Sequence, residues 1–172
     1  MTIDVGTLSI VYYPNDILRQ KACEVDPNDA NVQEVAQRMI ELMFENKGVG
    51  LAAPQVGLPW RIFVTQDLDN EGEGIVWMNP ELETIDDTPE LEEEGCLSLP
   101  DIRADIRRPI GVRISGFDGM GQPHLSESSD FIARVWQHEN DHLDGVLIID
   151  KMSAMDRLVN RKLIKHLERL AK

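Results

Sequence analysis

The sequence contains no long apolar run, few aromatic residues and only two cysteines. Of its 172 residues, 5% are aromatic and 28% are charged, and no stretch approaches the roughly 18–20 apolar residues that cross a bilayer. The first residues, MTIDVGTLSIVYYPND, lack the basic segment and apolar stretch of a secretory signal, and they are not the Arg-rich leader of an organelle import sequence. These absences predict a cytoplasmic protein that does not contact membranes.

Cys23 and Cys96 are too few for a disulfide framework, and a reducing compartment leaves both as thiols. Each is therefore a metal ligand or a buried thiol. The chain is long enough to bury one core, and its apolar content of 42% is ordinary for a globular protein. We therefore expect residues 1–172 to form a single domain.

Acidic residues dominate the charge everywhere except at the C-terminus. Residues 151–172 contain seven Lys or Arg and two acidic residues, a balance of +5. Since the whole chain carries a net charge of −14, the preceding 150 residues carry −19. An acidic body repels phosphates and disfavours broad nucleic-acid binding. The basic C-terminal segment is either a solvated helix face or a local contact for RNA.

Apolar spacing predicts a helix at about 29–46, and the runs RIFVTQ, GIVWMNPEL and GVRISGF predict short strands. A second helix begins at Phe131 and ends at Gly145, with VLIID after it as a short extended segment. Residues 155–172 form a C-terminal helix, whose predicted apolar stripe comprises Leu158, Val159, Leu163, Ile164, Leu167 and Leu170. The order predicts an α+β fold in which short mixed or antiparallel strands pack around a central helix.

The central helix carries H-E-x-x-H. His138 and His142 are four residues apart, so both imidazoles project from one helix face towards a single divalent ion, and Glu139 beside them can transfer protons. A catalytic site of this type needs a third protein ligand and an open position for water. The alternative is an exposed polar helix face with two incidental histidines.

The third ligand is not given by the usual downstream patterns. The third-histidine position of the metzincin motif holds Ile148, and the single later glutamate, Glu168, lies in the basic C-terminal segment. The remaining candidates are His124, His166, Cys23 and Cys96.

Two further stretches contain residues suited to a site. Cys96 lies in EEEGCLSLP, where Gly95 allows close approach of the backbone, and a thiolate is a strong ligand for zinc or ferrous iron. On composition alone, a small buried hydrophobic residue is the better interpretation of Cys96. GVGLAAPQVG at residues 48–57 is a tight loop in which Gln55 offers an amide donor, and it lacks the lysine and hydroxyl of a phosphate loop.

Together these stretches resemble the three motifs of the peptide deformylase family, G-x-G-L-A-A-x-Q, E-G-C-L-S and Q-H-E-x-D-H. Residues 48–55, 94–98 and 137–142 match them in the family's order. YPNDILRQKACEVD and HLDGVLIIDKMS are also similar to family sequence, so the resemblance covers nearly the whole chain.

The resemblance implies a hydrolase of protein biosynthesis that removes the N-formyl group from the initiator methionine of nascent peptides. It implies that Cys96, His138 and His142 bind the metal and that Glu139 is the catalytic acid and base. Gln55 and the backbone N–H of Leu97 would stabilise the oxyanion. Family members are associated with Fe²⁺, for which Zn²⁺, Ni²⁺ or Co²⁺ can substitute.

The resemblance further implies a methionine pocket and a supporting ion pair. Val49, Gly50, Phe131 and Val135 are expected to contact the substrate. Glu94 and Arg108 are expected to pair behind the Cys96 loop, whereas Arg134 is expected to face solvent.

Two other functions fit parts of the sequence. H-E-x-x-H by itself also fits a zinc endopeptidase, although no suitable downstream ligand follows it. A non-enzymatic metal-binding or ribosome-binding module would act through the basic C-terminal helix and would need a fourth protein ligand. We expect a monomeric deformylase that meets nascent peptides. If the basic C-terminal helix is more than a solvated face, Arg157, Arg161, Lys165 and Arg169 are the residues suited to ribosomal RNA.

Overall fold

A computed structural model describes residues 2–170 and confirms the α+β prediction. Short 3-10 turns lie at Val5–Thr7, Asp16–Arg19 and Ala53–Val56. The helices are α1 (Ala30–Glu45), α2 (Phe131–Leu143), α3 (Ile148–Lys151) and α4 (Ala154–Leu170). The strands are β1 (Gly50–Ala52), β2 (Ile62–Gln66), β3 (Gly74–Cys96), β4 (Leu99–Phe117) and β5 (Pro123–Ser128).

The five strands form one antiparallel sheet in the order β1-β2-β3-β4-β5. Strands β3 and β4 make a long hairpin that closes where Cys96 pairs with Leu99. Strand β1 is an edge strand, so one side of its backbone is free of sheet partners. The closed end of the hairpin and the free edge of β1 both border the candidate site described below.

Strands β3 and β4 are 23 and 19 residues long, much longer than the runs predicted from the sequence. The acidic stretch of β3 carries no apolar alternation, and ion pairs to β4 hold parts of it, as where Glu83 pairs with Arg113 and Glu94 with Arg108. In β4 the alternation is present: Ile102, Ala104 and Ile106 are buried and the residues between them are exposed. That period of two is the signal for this strand.

Helix α1 packs on β1 and β2 and agrees with the predicted helix within one residue at each end. The Asp29 carboxylate caps its first turn by accepting hydrogen bonds from the N–H groups of Asn31 and Val32. One face of α1 is fully buried and contributes Val32, Val35, Ala36, Met39, Leu42 and Met43 to the core. This packing fixes the loop that follows α1 and leads into β1.

Helix α2 lies against the middle of the sheet. Ala133, Trp136 and Leu143 pack on Phe63 of β2 and Trp77 of β3. Fully burying an aromatic or leucine side chain contributes about 1.5–3 kcal/mol, so this contact fixes the rotation of the helix. The opposite face of α2, with the two histidines, therefore points to the closed end of the β3–β4 hairpin.

The segment VLIID was predicted to be extended, and this was wrong. Ile148–Lys151 is a short helix, α3, because the Asp150 carboxylate accepts a hydrogen bond from the N–H of Leu147 at 2.8 Å.

In α4 the predicted apolar stripe is only partly buried: Leu167 and Ile164 contact the core, and the other four residues of the stripe are exposed. Residues 171 and 172 of the predicted helix lie outside the described residues. None of the described helices is long and apolar enough to cross a membrane.

Candidate metal centre

Three side chains from two elements meet at the closed end of the hairpin. His138 and His142 are one turn apart on α2, and their Nε2 atoms are 3.3 Å from each other. Cys96 is the last residue of β3, and its Sγ is 3.4 Å from His142 Nε2. One donor atom from each residue lies within 4.8 Å of the other two. Among residues 2–170 this is the one group of three such donors that meets this distance limit.

The spacing of the three donor atoms fits a single small cation. Donors at about 2.0–2.3 Å from one tetrahedral ion lie about 3.3–3.6 Å apart, which agrees with the distances from His142 to Cys96 and to His138. One thiolate and two imidazoles form a donor set typical of zinc or ferrous iron. Three protein donors would leave a fourth position for water, as in catalytic sites.

Glu94 sets the orientation of the His138 ring. Its Oε2 is 2.9 Å from His138 Nδ1, and both of its oxygens accept hydrogen bonds from Arg108, at 2.6 and 2.9 Å. Burial acts to raise the pKa of Glu94, but the hydrogen bonds from Arg108 and His138 overcome it and hold the pKa far below its usual value. An ionised Glu94 can only accept, so Nδ1 donates and Nε2 of His138 faces Cys96 and His142.

The charges around the histidines favour a cation between them. Burial lowers the pKa of His138, but its hydrogen bonds with Cys96 and Glu94 outweigh burial and raise the pKa to about 10. Burial, and next the charge on His138, lower the pKa of His142 well below its usual value. The position of His138 thus attracts positive charge, whereas His142 stays a neutral ligand. A divalent ion satisfies both, because it replaces the proton that His138 would otherwise hold.

Glu139 is buried beside the donors. Burial raises the pKa of its carboxyl to about 7, and its Oε2 has no hydrogen-bond partner among the described residues. Gly50 of β1 lies directly against it: a Cβ there would be 2.5 Å from Glu139 Oε1. The absence of a side chain at position 50 therefore leaves room for the carboxylate, which is the physical reason for a glycine in this motif.

Gln55 connects the loop after β1 to the donor group. Its Oε1 accepts a hydrogen bond from the N–H of Ala52 at 2.9 Å, which turns its NH₂ group towards the site. Nε2 lies 3.5 Å from Cys96 Sγ and 3.3 Å from the hydroxyl of Ser98. Leu97 lies in the turn between β3 and β4, next to Cys96. Both residues line the cavity in front of the donors.

That cavity has a volume of about 540 Å³. Val49 and Gly50 line one side, and Phe131 and Val135 of α2 line the other. Val135 is buried, whereas Val49 and Phe131 are 41% and 52% exposed and stand at the mouth. The cavity continues past Cys96 along the start of β4. It offers an apolar pocket next to the donors and an open groove leading away from it.

The other third-ligand candidates lie elsewhere. His124 packs edge-on against the ring of Trp77, with ring centroids 4.4 Å apart. His166 is on an exposed part of α4, and Cys23 is exposed and pairs with Trp60. Glu168 accepts a hydrogen bond from the Tyr13 hydroxyl at 3.1 Å. The structure therefore provides no downstream glutamate ligand of the kind that a thermolysin-like endopeptidase uses.

The expectation that Arg134 faces solvent was wrong. Its side chain is 6% exposed and donates to Glu94 Oε1 at 2.8 Å. Two other contacts of the site were not predicted: Ser98 accepts from Gln55, and Asp141 accepts from Arg108 at 2.9 Å. Ser98 and Asp141 lie inside the sequence motifs, which is the one signal that could have indicated them. Arg134 has no such signal, because a charged residue at this spacing fits an exposed helix face equally well.

Comparison with known proteins gives the family. Residues 7–158 match the family model for polypeptide deformylase. A peptide deformylase of Thermotoga maritima is 41% identical over 160 residues, which cover 93% of this chain and 96% of that protein.

The chain belongs to the peptide deformylase family.

Other peptide deformylases match along almost the same length. That of Borreliella burgdorferi is 43% identical over 145 residues, which cover 83% of this chain and 86% of that protein. The structure of the Plasmodium falciparum peptide deformylase matches with a TM-score of 0.85 at 38% identity, covering 94% of this chain and 99% of that one. An Arabidopsis thaliana peptide deformylase structure gives a TM-score of 0.88 at 37% identity, with 95% and 92% covered.

Members of this family are metal-dependent hydrolases that remove the N-formyl group from nascent polypeptides, and this chain is a hydrolase of that type. The match spans α1, the whole sheet, α2, α3 and the first turn of α4. The Cys/His/His donor group, the cavity and Glu139 all lie within the matched residues.

Proposed function

We propose that Cys96, His138 and His142 hold the catalytic metal ion and that Glu139 transfers the proton during deformylation. The observation that carries this proposal is the three-donor group with a buried carboxyl beside it. A divalent ion bound there would supply Lewis acidity, lowering the pKa of a water molecule towards about 7 and polarising the formyl oxygen.

Glu139 acts first as a base and then as an acid. Its carboxylate takes a proton from the water that attacks the formyl carbon, and the C–N bond then breaks to release formate. The same carboxyl gives its proton to the nitrogen that leaves as the amine of methionine. A pKa of about 7 suits both steps, because the group can accept and release a proton at neutral pH.

Gln55 and Leu97 stabilise the negative charge that develops on the formyl oxygen. Gln55 Nε2 already faces Cys96, and the turn that contains Leu97 borders the same end of the cavity. Ser98 holds the Gln55 amide in this orientation by accepting from Nε2 at 3.3 Å. Donors fixed before the reaction stabilise the transition state without the cost of reorganisation.

The methionine side chain enters the apolar pocket between Val49, Phe131 and Val135. The peptide backbone extends past Gly50, where the free edge of β1 can accept an added strand. The family resemblance favours Fe²⁺ as the ion, and Zn²⁺, Ni²⁺ or Co²⁺ can substitute because one thiolate and two imidazoles suit all four ions. The protein acts as a cytoplasmic monomer.

Helix α4 docks the enzyme on the ribosome. Arg161, Lys165 and Arg169 are exposed on one side of this helix and carry no resolved ion pair within residues 2–170. Replacing these three residues with Gln should abolish the salt-dependent part of ribosome co-sedimentation while deformylation of a free peptide stays unchanged. Co-sedimentation identical to wild type would reject this docking role.

The deciding experiment is anaerobic. Protein loaded with Fe²⁺ is offered formyl-Met-Ala-Ser and formate release is followed, with Glu139→Ala as the control. We expect rapid release by wild type, none above background by the variant, and no cleavage of internal peptide bonds. If the metal-loaded, folded wild type releases no formate, the assignment fails and an endopeptidase or a closed metal site must be tested instead.

A further inference from the structure

Arg134 is a charged residue buried beside the metal centre, and the mechanism above gives it no role. It lies one helical turn before His138 on α2. Its guanidinium donates to Glu94 Oε1 at 2.8 Å. We propose that Arg134 is a positioning residue that holds Glu94 and, through Glu94, orients His138 towards the metal ion. This inference rests on the proposed function of the centre.

Arg134 completes the hydrogen bonding of the Glu94 carboxylate. Oε1 accepts from Arg108 Nε and from Arg134 Nη1, and Oε2 accepts from Arg108 Nη2 and from His138 Nδ1. A carboxylate has about four lone-pair positions, so all of them are occupied. Without Arg134, Oε1 keeps one donor, so Arg108 alone holds that oxygen and the carboxylate can shift by a small rotation. His138 Nδ1 would follow that rotation, and Nε2 would turn away from Cys96.

The position of the guanidinium is set by the β3–β4 hairpin, whose Glu92 and Glu90 carboxylates lie 3.3 Å from Nε and 3.6 Å from Nη2. Nη1 also donates to the carbonyl of Ile106 in β4 at 2.9 Å, and Nη2 donates to the carbonyl of Glu90 in β3 at 3.1 Å. Sheet pairing holds both carbonyls in place. Arg134 therefore couples the position of Glu94 to the paired strands of the hairpin. It also joins α2 to β3, the strand that carries Cys96. A lysine ammonium cannot span all three acceptors, because it lacks the planar fork of donors.

The substitution Arg134→Met separates the positioning role of this residue from its role as part of the cavity wall. The Arg134 side chain lines the cavity, together with its neighbours Phe131 and Val135. Arg134→Met keeps an unbranched apolar stem in the cavity wall and removes every donor. A residue that acts through Glu94 should affect metal affinity and kcat, while KM for the formyl peptide changes by less than about threefold.

The first experiment compares wild type, Arg134→Met, Arg134→Lys and the control Arg113→Met. Arg113 pairs with Glu83 and Glu127 on the exposed face of the sheet and is 40% exposed, so its loss removes an arginine from the same sheet away from the centre. Three properties are measured: Co²⁺ affinity against a chelator, the absorption spectrum of the Co²⁺ protein, and kcat and KM per bound metal. We expect Arg134→Met to lose about 10–100-fold in affinity or kcat with a shifted spectrum. Arg134→Lys should recover part of the loss, and Arg113→Met should match wild type.

A double-mutant cycle with Glu94→Gln tests whether Arg134 acts through Glu94. In the Glu94→Gln background, Arg134→Met should cost less than about twofold, because the carboxylate that it positions is already gone. Equal losses in both backgrounds would overturn the proposal, as would wild-type affinity, spectrum and kcat per metal in Arg134→Met. If Arg134→Met does not fold, Arg134→Lys enters the same cycle with the same two outcomes.

The same measurements keep this inference distinct from the assignment of the centre. If metal-loaded wild type is inactive on formyl-Met-Ala-Ser, the proposed function fails. If wild type is active and Arg134→Met behaves like Arg113→Met, only the positioning role fails.

Discussion

Helices α2 and α4 both show an amphipathic pattern in sequence, but they lie in very different surroundings. Of the thirteen residues of α2, seven are buried, including the polar Arg134, Glu139 and His142. Of the seventeen residues of α4, only Asn160 and Leu167 are buried. Helix α2 lies between the sheet and the hairpin end, whereas α4 packs along one narrow face.

The difference explains why the candidate site lies on α2 and not on α4. In α2, burial raises the pKa of Glu139 and lowers that of His142, because low polarity penalises charge. The cost of burying Arg134 is offset by three hydrogen bonds to fixed acceptors. On α4 the charged groups stay in water and can serve association only. Four tests probe this contrast, from the largest expected effect to the smallest.

Glu139→Gln should give the largest loss. The amide keeps the shape of the side chain but cannot accept and return a proton, so kcat for formyl-Met-Ala-Ser should fall by about 10²–10⁴-fold. Metal content, measured by elemental analysis, should stay the same because the three donors are unchanged. A variant with more than a tenth of wild-type kcat would show that another group transfers the proton.

Gln55→Ala tests a buried polar group that faces the centre from outside α2. Loss of one oxyanion donor typically raises the barrier by about 2.7–4 kcal/mol, so kcat should fall by about 10²–10³-fold. The variant should be impaired less than Glu139→Gln in parallel steady-state assays. If Gln55→Ala changes KM alone, the amide binds substrate and does not stabilise the oxyanion.

Leu167→Ala and Val159→Ala compare the two faces of α4. Leu167 is 8% exposed and packs in the core with Ile148 and Ile149, so truncation should lower the free energy of unfolding by about 2 kcal/mol. Val159 is 73% exposed, and its truncation should stay within about 0.5 kcal/mol of wild type. Urea unfolding measures both variants. Similar losses for the two would mean that the exposed face of α4 is covered in solution.

Glu94, which contacts Arg134 and His138 of α2, should make the free energy of unfolding depend on pH in the acid range. Its folded-state pKa lies far below the unfolded value of about 4.5, so its stabilising contribution is present above that value and is lost as pH falls below it. Urea unfolding with a chelator present, between pH 6 and pH 3, should show a steeper decline for wild type than for Glu94→Gln. The two declines should differ by at least about 1.4 kcal/mol, the equivalent of one pKa unit. Parallel declines would show that Glu94 does not retain its low pKa in the metal-free protein.

The strongest sequence signals predicted the parts of the molecule that follow local rules. The helical period of its apolar residues predicted α1, and the i, i+4 spacing of His138 and His142 put both rings on one face. The prediction missed Ile148–Lys151, where two buried isoleucines gave an apolar run of ambiguous type. It also missed most of β3, because the acidic stretch has no alternation of apolar residues to indicate a strand and is extended through its pairing with β4.

The sequence by itself determined the donor types, the helix that carries two of them and the glutamate beside them, because each depends on residue identity and on spacing within one element. The tertiary structure decided that Cys96 joins them and that Glu94 fixes one imidazole, because those contacts bring residues 44 or more positions apart in the chain within 3.5 Å. It also decided that Arg134 is buried. Helical spacing shows which residues share a face, but only packing shows whether that face meets water or the carboxylate of another strand.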